Sequence, residues 1–583
     1  MSSDINVYSS EWSQNPYFDD ATRKEIQHLI DTKNETELTE RFYRDLEFGT
    51  GGLRSIIGAG RNRMNKYQVR KATQALCNQL KKMHLPITVC VGYDSRTFSK
   101  EFACEVASVV AGNNGLAYIY DRMLPVPMLS YSVRFHQAQA GVMITASHNP
   151  KEYNGYKLFW NDGGQVVPPV DKEVIGEYNA ILDWNSISHM NFDVAVKEGK
   201  ITWVGKAVED AYHKMLYSFS VNPELCLKHG NELKVVYTPI HGTGINAVPA
   251  QLKLMGFTQI DIVKEQETPD SQFSTVKFPN PEYLEALDLA IKQMKRTNAD
   301  LCYGTDPDCD RLGVVVNHKG EPTPLNGNQV AVLLLHYILK SKKEQNKLPP
   351  EPLVIKTIVT SELQTTIAKN FGAHIENTLT GFKWMGLRLN ELQKEHPSYQ
   401  FIFASEESYG YLGHNQCRDK DGVSAAALAT EMALYYKLKG MTLIDALDAI
   451  YSEFGFAYEG LLSIDYFGKV GAEKINRLMD HFRNFNGSIM GEEILEMEDY
   501  LNLKTTNFET KNSSVIKQVK SNVIGYKFKS GNKLYLRPSG TEPKIKFYTM
   551  VQDKNGSLEQ RKKNAISKVD AIENWIKKEV EPV

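Results

Sequence analysis

Short apolar runs that stop abruptly in polar loops recur along this chain. Val142-Met143-Ile144 is one of them, followed by Thr145-Ala146-Ser147-His148-Asn149-Pro150. Such a run reads as a buried strand, and the loop behind it as the place where an α/β domain carries its polar chemistry. The same plan predicts strands over 87–93, ahead of Asp94-Ser95-Arg96, and over 234–237, ahead of the PIHGTG loop at 239–244. It predicts others over 299–305, 353–359 and 400–404, the last running into SEESYG. Charged and apolar groups alternate at helical spacing over 17–47. Residues 101–120 read as a helix and a strand, and 328–340 as a helix that gives way to a charged, proline-bearing break at 341–352. From about residue 454 the texture changes. A strand at 461–466, a helix at 470–485 and strands near 522–528, 532–536 and 544–551 precede a closing helix with Ile566, Val569, Ile572, Ile576 and Val580 on one face. Three α/β segments therefore precede one different module.

With 583 residues the chain exceeds what one hydrophobic core organises, and roughly three to five domains are expected. Its composition, 42% hydrophobic and 24% charged, is that of an ordinary globular protein. A net charge of -2 supplies no basic field to hold nucleic acid or acidic lipid. The first sixteen residues contain no apolar core of a secretion signal, and the most apolar later run, 330–339, is interrupted by His336 and too short to span a bilayer. The seven cysteines are scattered, odd in number and never spaced Cys-x-x-Cys. Reduced thiols and a cytoplasmic location are the expectation.

The sharpest chemical motif is GTDPDCDRLG at 304–313, with Asp306, Asp308 and Asp310 at alternate positions. On extended backbone alternate side chains face one way, so three carboxylates can converge on one hard cation. An EF-hand is excluded because Arg311 and Asn317 stand where its glycine and glutamate belong. A solvated acidic turn is the alternative, against which the apolar runs 299–303 and 312–316 argue burial. Arg311 adds a cation for an anionic ligand. A metal held by a few carboxylates commonly serves phosphate, yet no Gly-Lys here is followed by Ser or Thr, so there is no Walker A loop. LRPSGTEPKI at 536–545 offers Arg537, Ser539, Gly540 and Thr541 instead, a fork, two hydroxyls and close backbone N–H groups. It reads equally as a hairpin turn, and a hairpin tip can be both.

Other loops carry weaker signals. EFGTGGLR at 47–54 places Arg54 behind glycines, as an anion-facing loop or a flexible turn. Glu406, Glu407 and Ser408 follow a strand and suit sugar hydroxyls. LTGFKW at 379–384 pairs a glycine bend with Lys383, and RDKDG at 418–422 by itself reads as a solvated turn. The 145–150 loop alone reads as a surface turn as readily as a site, since Asn-Pro is an ordinary turn signal. Lys157, ten residues beyond Ser147, can bring a cation to it. No Gly-x-Ser-x-Gly elbow surrounds Ser147. His148 is its neighbour on backbone read as extended, where adjacent side chains diverge, which disfavours a Ser–His pair.

TASHNP (145–150) with NGYK (154–157), DPDCDR (306–311), EESYG (406–410) and RPSGTEP (537–543), in this order, resemble the α-D-phosphohexomutase superfamily. The likeness is to its long phosphoglucomutase/phosphomannomutase branch, which includes phosphopentomutases. The resemblance implies an α/β fold, three related mixed α/β domains plus a C-terminal α+β domain around a central active-site cleft. The expected boundaries are 1–208 with the phosphoserine loop, 209–324 with the metal loop, 325–453 with the sugar-specificity loops and 454–583 with the phosphate-binding loop. It implies a phosphoserine at Ser147 and Mg²⁺ at Asp306, Asp308 and Asp310, with the group on Ser147 completing the shell.

The remaining roles follow the same motifs. Arg311 would lie beside the phosphate, and His148, Lys157, Lys420 and Arg54 near the transferred group. Glu406 and Ser408 would meet sugar hydroxyls, Thr380, Gly381 and Lys383 would belong to the specificity loop, and Arg537, Ser539, Gly540 and Thr541 would hold the non-reacting phosphate. The implied reaction interconverts a sugar 1-phosphate and 6-phosphate, with glucose as the first expectation and mannose or pentose as alternatives. A sugar 1,6-bisphosphate would be the activator. The partner would be a small phosphosugar, with no nucleic acid or membrane, in a monomer or dimer. Ser55 after GGLR and the SEES form at 405–408 depart from the branch and bear on sugar preference. A Mg²⁺-dependent phosphatase would use the same loops, and a non-catalytic sugar-phosphate sensor would need no nucleophile. An Asp-nucleophile phosphatase of the haloacid dehalogenase type is disfavoured by Leu312.

Overall fold

Strands buried on both faces of a parallel sheet read as continuous apolar runs, and this is what Ala140–Ile144 becomes. The computed structural model describes residues 2–47, 52–466, 468–539 and 544–582. Ala140–Ile144 pairs in parallel with Thr88–Tyr93, which pairs in parallel with Leu116–Tyr120, and that strand with Ile201–Val204. On the other side Ala140–Ile144 meets Tyr153–Trp160 antiparallel, and Tyr153–Trp160 meets Leu53–Ile56. Helices Lys66–Lys82 and Ser99–Gly112 pack their apolar faces into the same core. The helical lead-in resolves into Ser2–Gln14, Asp20–Asp31 and Glu35–Phe42. The first was not expected; its fully buried Trp12 stacks on Phe18 at 4.3 Å and meets Phe42, Tyr67 and Trp184 edge-on.

A second sheet runs Glu321–Leu325, Leu312–His318, Leu301–Thr305, Val235–Thr238, Ile260–Ile262. Pro322 and Pro324 lie on its outermost strand. Proline has no N–H to give a further neighbour, so an edge is where a strand tolerates it. The chain forms two compact units. The first comprises Met1–Leu325, Phe382–Lys394 and Ser408–Tyr435; the second comprises Asn326–Gly381, Glu395–Glu407 and Tyr436–Val583. In the second, Pro352–Thr357 pairs in parallel with His374–Thr378 and Gln400–Glu406. Its C-terminal sheet runs Phe456–Asp465, Lys544–Asp553, Lys533–Pro538, Ile524–Phe528, Glu492–Asp499, Lys504–Asn507, Ser513–Val515, against helices Gly468–Asn484 and Leu558–Glu579.

Several expected elements shift. Arg54 lies on a strand and Lys383 in the first turn of helix Phe382–Glu395, not in loops. The helix expected to end at 340 runs to Glu344, because its last turn tolerates Lys342 and Lys343 near the carbonyl end. The strand expected at 461–466 starts at Phe456, and Tyr153–Trp160, to which no element was assigned, is a strand. In the closing helix Ile566 is 38% exposed, and Ala565 takes the buried position beside Val569, Ile572 and Ile576. No helix among the described residues is long and apolar enough to cross a membrane.

Gly155 shows how tightly the functional loop is sewn to this sheet. A Cβ there would sit 2.5 Å from Thr145 O and 2.8 Å from Leu53 O. Gly155→Ala is expected to lower the unfolding free energy by about 1–3 kcal/mol, read as a shift in the urea midpoint.

Candidate active site

The 145–150 loop is gathered by one guanidinium. Arg96, only 3% exposed, donates to Ser147 O at 2.6 Å, Pro150 O at 2.8 Å, Tyr153 O at 3.0 Å and also to Asn149 O. Asp94 lies 3.4 Å from it, and Phe273 stacks beneath at 4.9 Å. Thr145 Oγ1 accepts the Ser147 N–H at 2.8 Å, and Ser147 adopts φ 52°, a region costly for a residue with a Cβ. Arg96 and Thr145 were missing from the sequence-derived candidates. The only signal for Arg96 was its place just behind a strand end.

The three aspartates do converge, by a different route from the one expected. Residues 306–310 form a turn, with Cys309 N–H donating to Asp306 O at 2.9 Å and Cys309 at φ 54°. Strand-like alternation plays no part. Asp306 Oδ1 accepts the N–H groups of Asp310 and Arg311, both at 3.1 Å. Other segments seize the turn's carbonyls: Thr243 N–H on Pro307 O at 2.8 Å, Val126 N–H on Asp308 O at 2.9 Å, Gly422 N–H on Cys309 O at 3.1 Å. The PIHGTG loop approaches so closely that a Cβ on Gly242 would lie 2.4 Å from Pro307 Cα. One oxygen from each of Asp306, Asp308 and Asp310 lies within 4.8 Å of the others, and all three residues are buried.

Ser147 Oγ donates to Asp306 Oδ2 at 2.8 Å. Lys157 Nζ sits 2.7 Å from Asp308 Oδ2 and 3.3 Å from Asp310 Oδ2, and Lys420 Nζ 3.4 Å from the latter. Thr145 Oγ1 reaches Asp308 Oδ2 at 3.2 Å. Asp308 Oδ1 and Asp310 Oδ1 are buried with no hydrogen-bond partner among the described residues. Unpartnered buried carboxylate oxygens are rare, and two of them in a cluster of three carboxylates suit a hard divalent cation. Burial and the carboxylates of Asp310 and Asp308 push Asp306 well above the usual carboxylate range. Burial opposes the ionised Asp310, yet Lys420, Lys157 and Arg311 outweigh it and hold that group low. Burial likewise opposes the Lys157 ammonium, and Asp308 and Asp310 reverse the sign and raise it.

His148 corrects the sequence reading. Its Nδ1 lies 3.2 Å from Ser147 Oγ, because the left-handed turn at Ser147 removes the divergence of extended backbone. Burial, with Arg311 and Arg54 nearby, pulls its pKa well below 6.5, so the ring is neutral at physiological pH. Arg54 Nη1 donates to Asn149 Oδ1 at 2.8 Å, and Arg311 pairs with Glu282. Arg54, Lys157, Arg311 and Lys420 thus surround the serine and the carboxylates with positive charge, the setting for a bound phosphoryl group.

The remaining candidates divide between the units. Lys383, in the first unit, is buried with its Nζ 4.8 Å from the Trp384 ring, and burial lowers its pKa. Ser408 also belongs to the first unit and is half-buried. In the second unit Glu406 is buried at a strand end, and Glu407 accepts from Thr357 Oγ1 at 3.0 Å. Burial and then Glu406 raise the Glu407 pKa, with Arg537 near enough to oppose them. Thr380 precedes Gly381, whose φ of 112° only glycine adopts readily. Ser539 N–H donates to Lys544 O at 2.8 Å and closes the hairpin, while Gly540 and Thr541 lie outside the described residues.

Three domain models of the phosphoglucomutase/phosphomannomutase family match the chain: α/β/α domain I over 45–183, domain II over 210–320 and domain III over 326–454. A phosphoglucomutase of Staphylococcus aureus (strain MRSA252) is 36% identical over 533 residues, which is 90% of this chain and 93% of that protein. Among solved structures, the open form of parafusin, a phosphoglucomutase of Paramecium, superposes with a TM-score of 0.66 at 16% identity, covering 92% of this chain and 96% of that one. A phosphoglucomutase/phosphomannomutase family protein of Burkholderia thailandensis gives 0.62 at 15% identity, over 91% and 97%. At such identities the structural likeness is one of fold.

A divalent cation, Mg²⁺ or Mn²⁺, at 100 times its Kd is expected to stabilise the protein by about 2.7 kcal/mol, seen as a rise in thermal midpoint. Asp308→Asn should lose that rise. Since Asp306 holds its proton above the usual range, uptake of the cation should release protons and weaken on acidification, measurable by calorimetry in two buffers.

Proposed function

This chain belongs to the phosphoglucomutase/phosphomannomutase family, and on that premise we propose that it interconverts glucose 1-phosphate and glucose 6-phosphate through a phosphoserine at Ser147 and a glucose 1,6-bisphosphate intermediate. The observation that carries this reading is the 2.8 Å contact of Ser147 Oγ with Asp306, in a cluster of three carboxylates of which Asp308 and Asp310 each keep one oxygen without a hydrogen-bond partner among the described residues. A binding protein has no need of a hydroxyl held in a costly backbone conformation against three carboxylates. Asp306, Asp308 and Asp310 would hold Mg²⁺, which when bound neutralises charge on a transferring phosphoryl group.

The chain's own residues then divide the work. Ser147 gives its phosphoryl group to a sugar hydroxyl and takes back the other one after the bisphosphate has turned over. The sugar hydroxyl loses a proton as Ser147 Oγ gains one, and His148, Lys157 and Lys420 stand where those protons are exchanged. Arg54 and Arg311 balance charge on the equatorial oxygens, so catalysis is mainly positioning and electrostatics. In this reading Glu406 and Ser408 meet sugar hydroxyls, and Thr380, Gly381 and Lys383 form the loop that tells the two sugar orientations apart. Arg537, Ser539, Gly540 and Thr541 hold the phosphate that does not react. The four domains would span 1–208, 209–324, 325–453 and 454–583, and free sugar 1,6-bisphosphate would re-prime Ser147. The protein would act on its small phosphosugar in the cytoplasm, as a monomer or dimer, without nucleic acid or membrane. Seven free cysteines support a reducing compartment.

Intact-mass analysis is expected to find a fraction of the purified protein with one added phosphoryl group, absent in Ser147→Ala together with isomerisation. Steady phosphate release without isomerisation would instead identify a phosphatase. Comparing kcat/KM for glucose, mannose and ribose 1-phosphates should rank glucose first. Arg96→Lys keeps the charge and loses the fork that gathers the loop carbonyls, so kcat should fall about 100-fold, with the phosphorylated fraction still detectable by mass.

A further inference from the structure

Lys420 sits in a turn held from below by a buried network that the proposed chemistry does not use. Asp421, fully buried, accepts from Tyr212 Oη at 2.8 Å to each carboxylate oxygen. His414, also fully buried, meets Asp421 Oδ2 through Nε2 at 2.8 Å, and Ser424 N–H donates to Oδ1 at 2.8 Å. Tyr212 comes from helix Lys206–Ser218, a segment distant in sequence.

His414, Cys417 and Asp421 also have the composition of a metal site, with one atom from each within 4.8 Å of the others. The histidine tautomer argues against it. Gln416 N–H points at His414 Nδ1 at 3.2 Å, so Nδ1 carries the lone pair and Nε2 the proton. A metal on Nε2 would require the proton on Nδ1, facing another N–H. Cys417 Sγ meanwhile reaches Pro127 O at 3.3 Å. The cluster is a set of hydrogen-bond donors around one carboxylate.

Its geometry bears on Lys420. Gly422 N–H binds Cys309 O in the aspartate turn at 3.1 Å, and a Cβ on Gly422 would lie 2.6 Å from that oxygen. Asp421 N–H binds Tyr411 O at 2.8 Å. On the other side Asp419 accepts from Gln165 at 2.6 Å and from Lys420 N–H at 2.8 Å. The backbone on both sides of Lys420 is therefore pinned by buried carboxylates, and Lys420 Nζ comes 3.4 Å from Asp310 Oδ2.

We propose that Asp421, clamped by Tyr212 and His414, is a positioning residue that holds the 419–422 turn so that Lys420 reaches Asp310 beside Ser147, and that it influences phosphoryl transfer only through Lys420. This rests on the mutase reading. Asp421→Asn keeps the acceptor for Ser424 N–H and loses the charge that gathers Tyr212 and His414; Tyr212→Phe removes one donor. Each is expected to lower kcat for glucose 1-phosphate by about 10- to 100-fold, with KM unchanged. In a Lys420→Met background neither should lower kcat further. Equal losses in both backgrounds would show a merely structural cap and overturn the proposal. So would unchanged kcat in Asp421→Asn when Lys420→Met is crippled, a result that leaves the mutase reading standing. A parent protein without isomerase activity overturns that reading and this inference with it. Should Asp421→Asn fail to fold, Tyr212→Phe decides by the same comparison.

Discussion

Three buried carboxylates in one five-residue turn repel one another, and the first unit is arranged around that repulsion. Two unit charges about 4 Å apart interact by about 4 kcal/mol at an effective dielectric of roughly 20. The chain answers with Lys157 and Lys420 on Asp308 and Asp310, backbone N–H groups and Ser147 on Asp306, and still leaves two oxygens without a hydrogen-bond partner among the described residues. Full neutralisation by side chains would have left no place for a cation. Partial neutralisation keeps the turn folded and its attraction for a divalent ion intact.

Holding such a turn requires contacts that do not depend on its side chains. Thr243, Val126 and Gly422 each donate a backbone N–H to one of its carbonyls. The serine loop is treated similarly, with Arg96 binding carbonyls and leaving the Ser147 hydroxyl and the His148 ring to face the carboxylates. Main-chain anchoring separates the job of placing the loop from that of doing chemistry. It also explains why Gly155, Gly242 and Gly422 have no room for a Cβ: each lies where another segment's backbone must come within hydrogen-bonding range.

The electrostatics of the site follow from the same crowding. Asp306 is pushed up by burial and by the carboxylates of Asp310 and Asp308, whereas Lys420, Lys157 and Arg311 overcome burial at Asp310 and hold it down, although both lie in one turn. His148, among Arg54, Arg311 and Lys157, is kept neutral and so retains a lone pair that an imidazolium would lack.

Sequence alone determined the strand-then-loop plan, the change of texture near residue 454 and the identity of the aspartate turn and serine loop. These are local properties: burial on both faces dictates apolar runs, and chemistry dictates residue types at strand ends. Ile566 was placed on the wrong face, and the strands Tyr153–Trp160 and Glu321–Leu325 were not foreseen, because only the packing of neighbours decides which face is covered and where a sheet ends. The aspartates converge as expected but by another route, since a turn and not strand alternation brings them together. Arg96, and the clamp of Tyr212 and His414 on Asp421, were decided by tertiary structure alone. Their partners lie between 7 and 209 positions away in the chain, and no local pattern records a hydrogen bond across such distances.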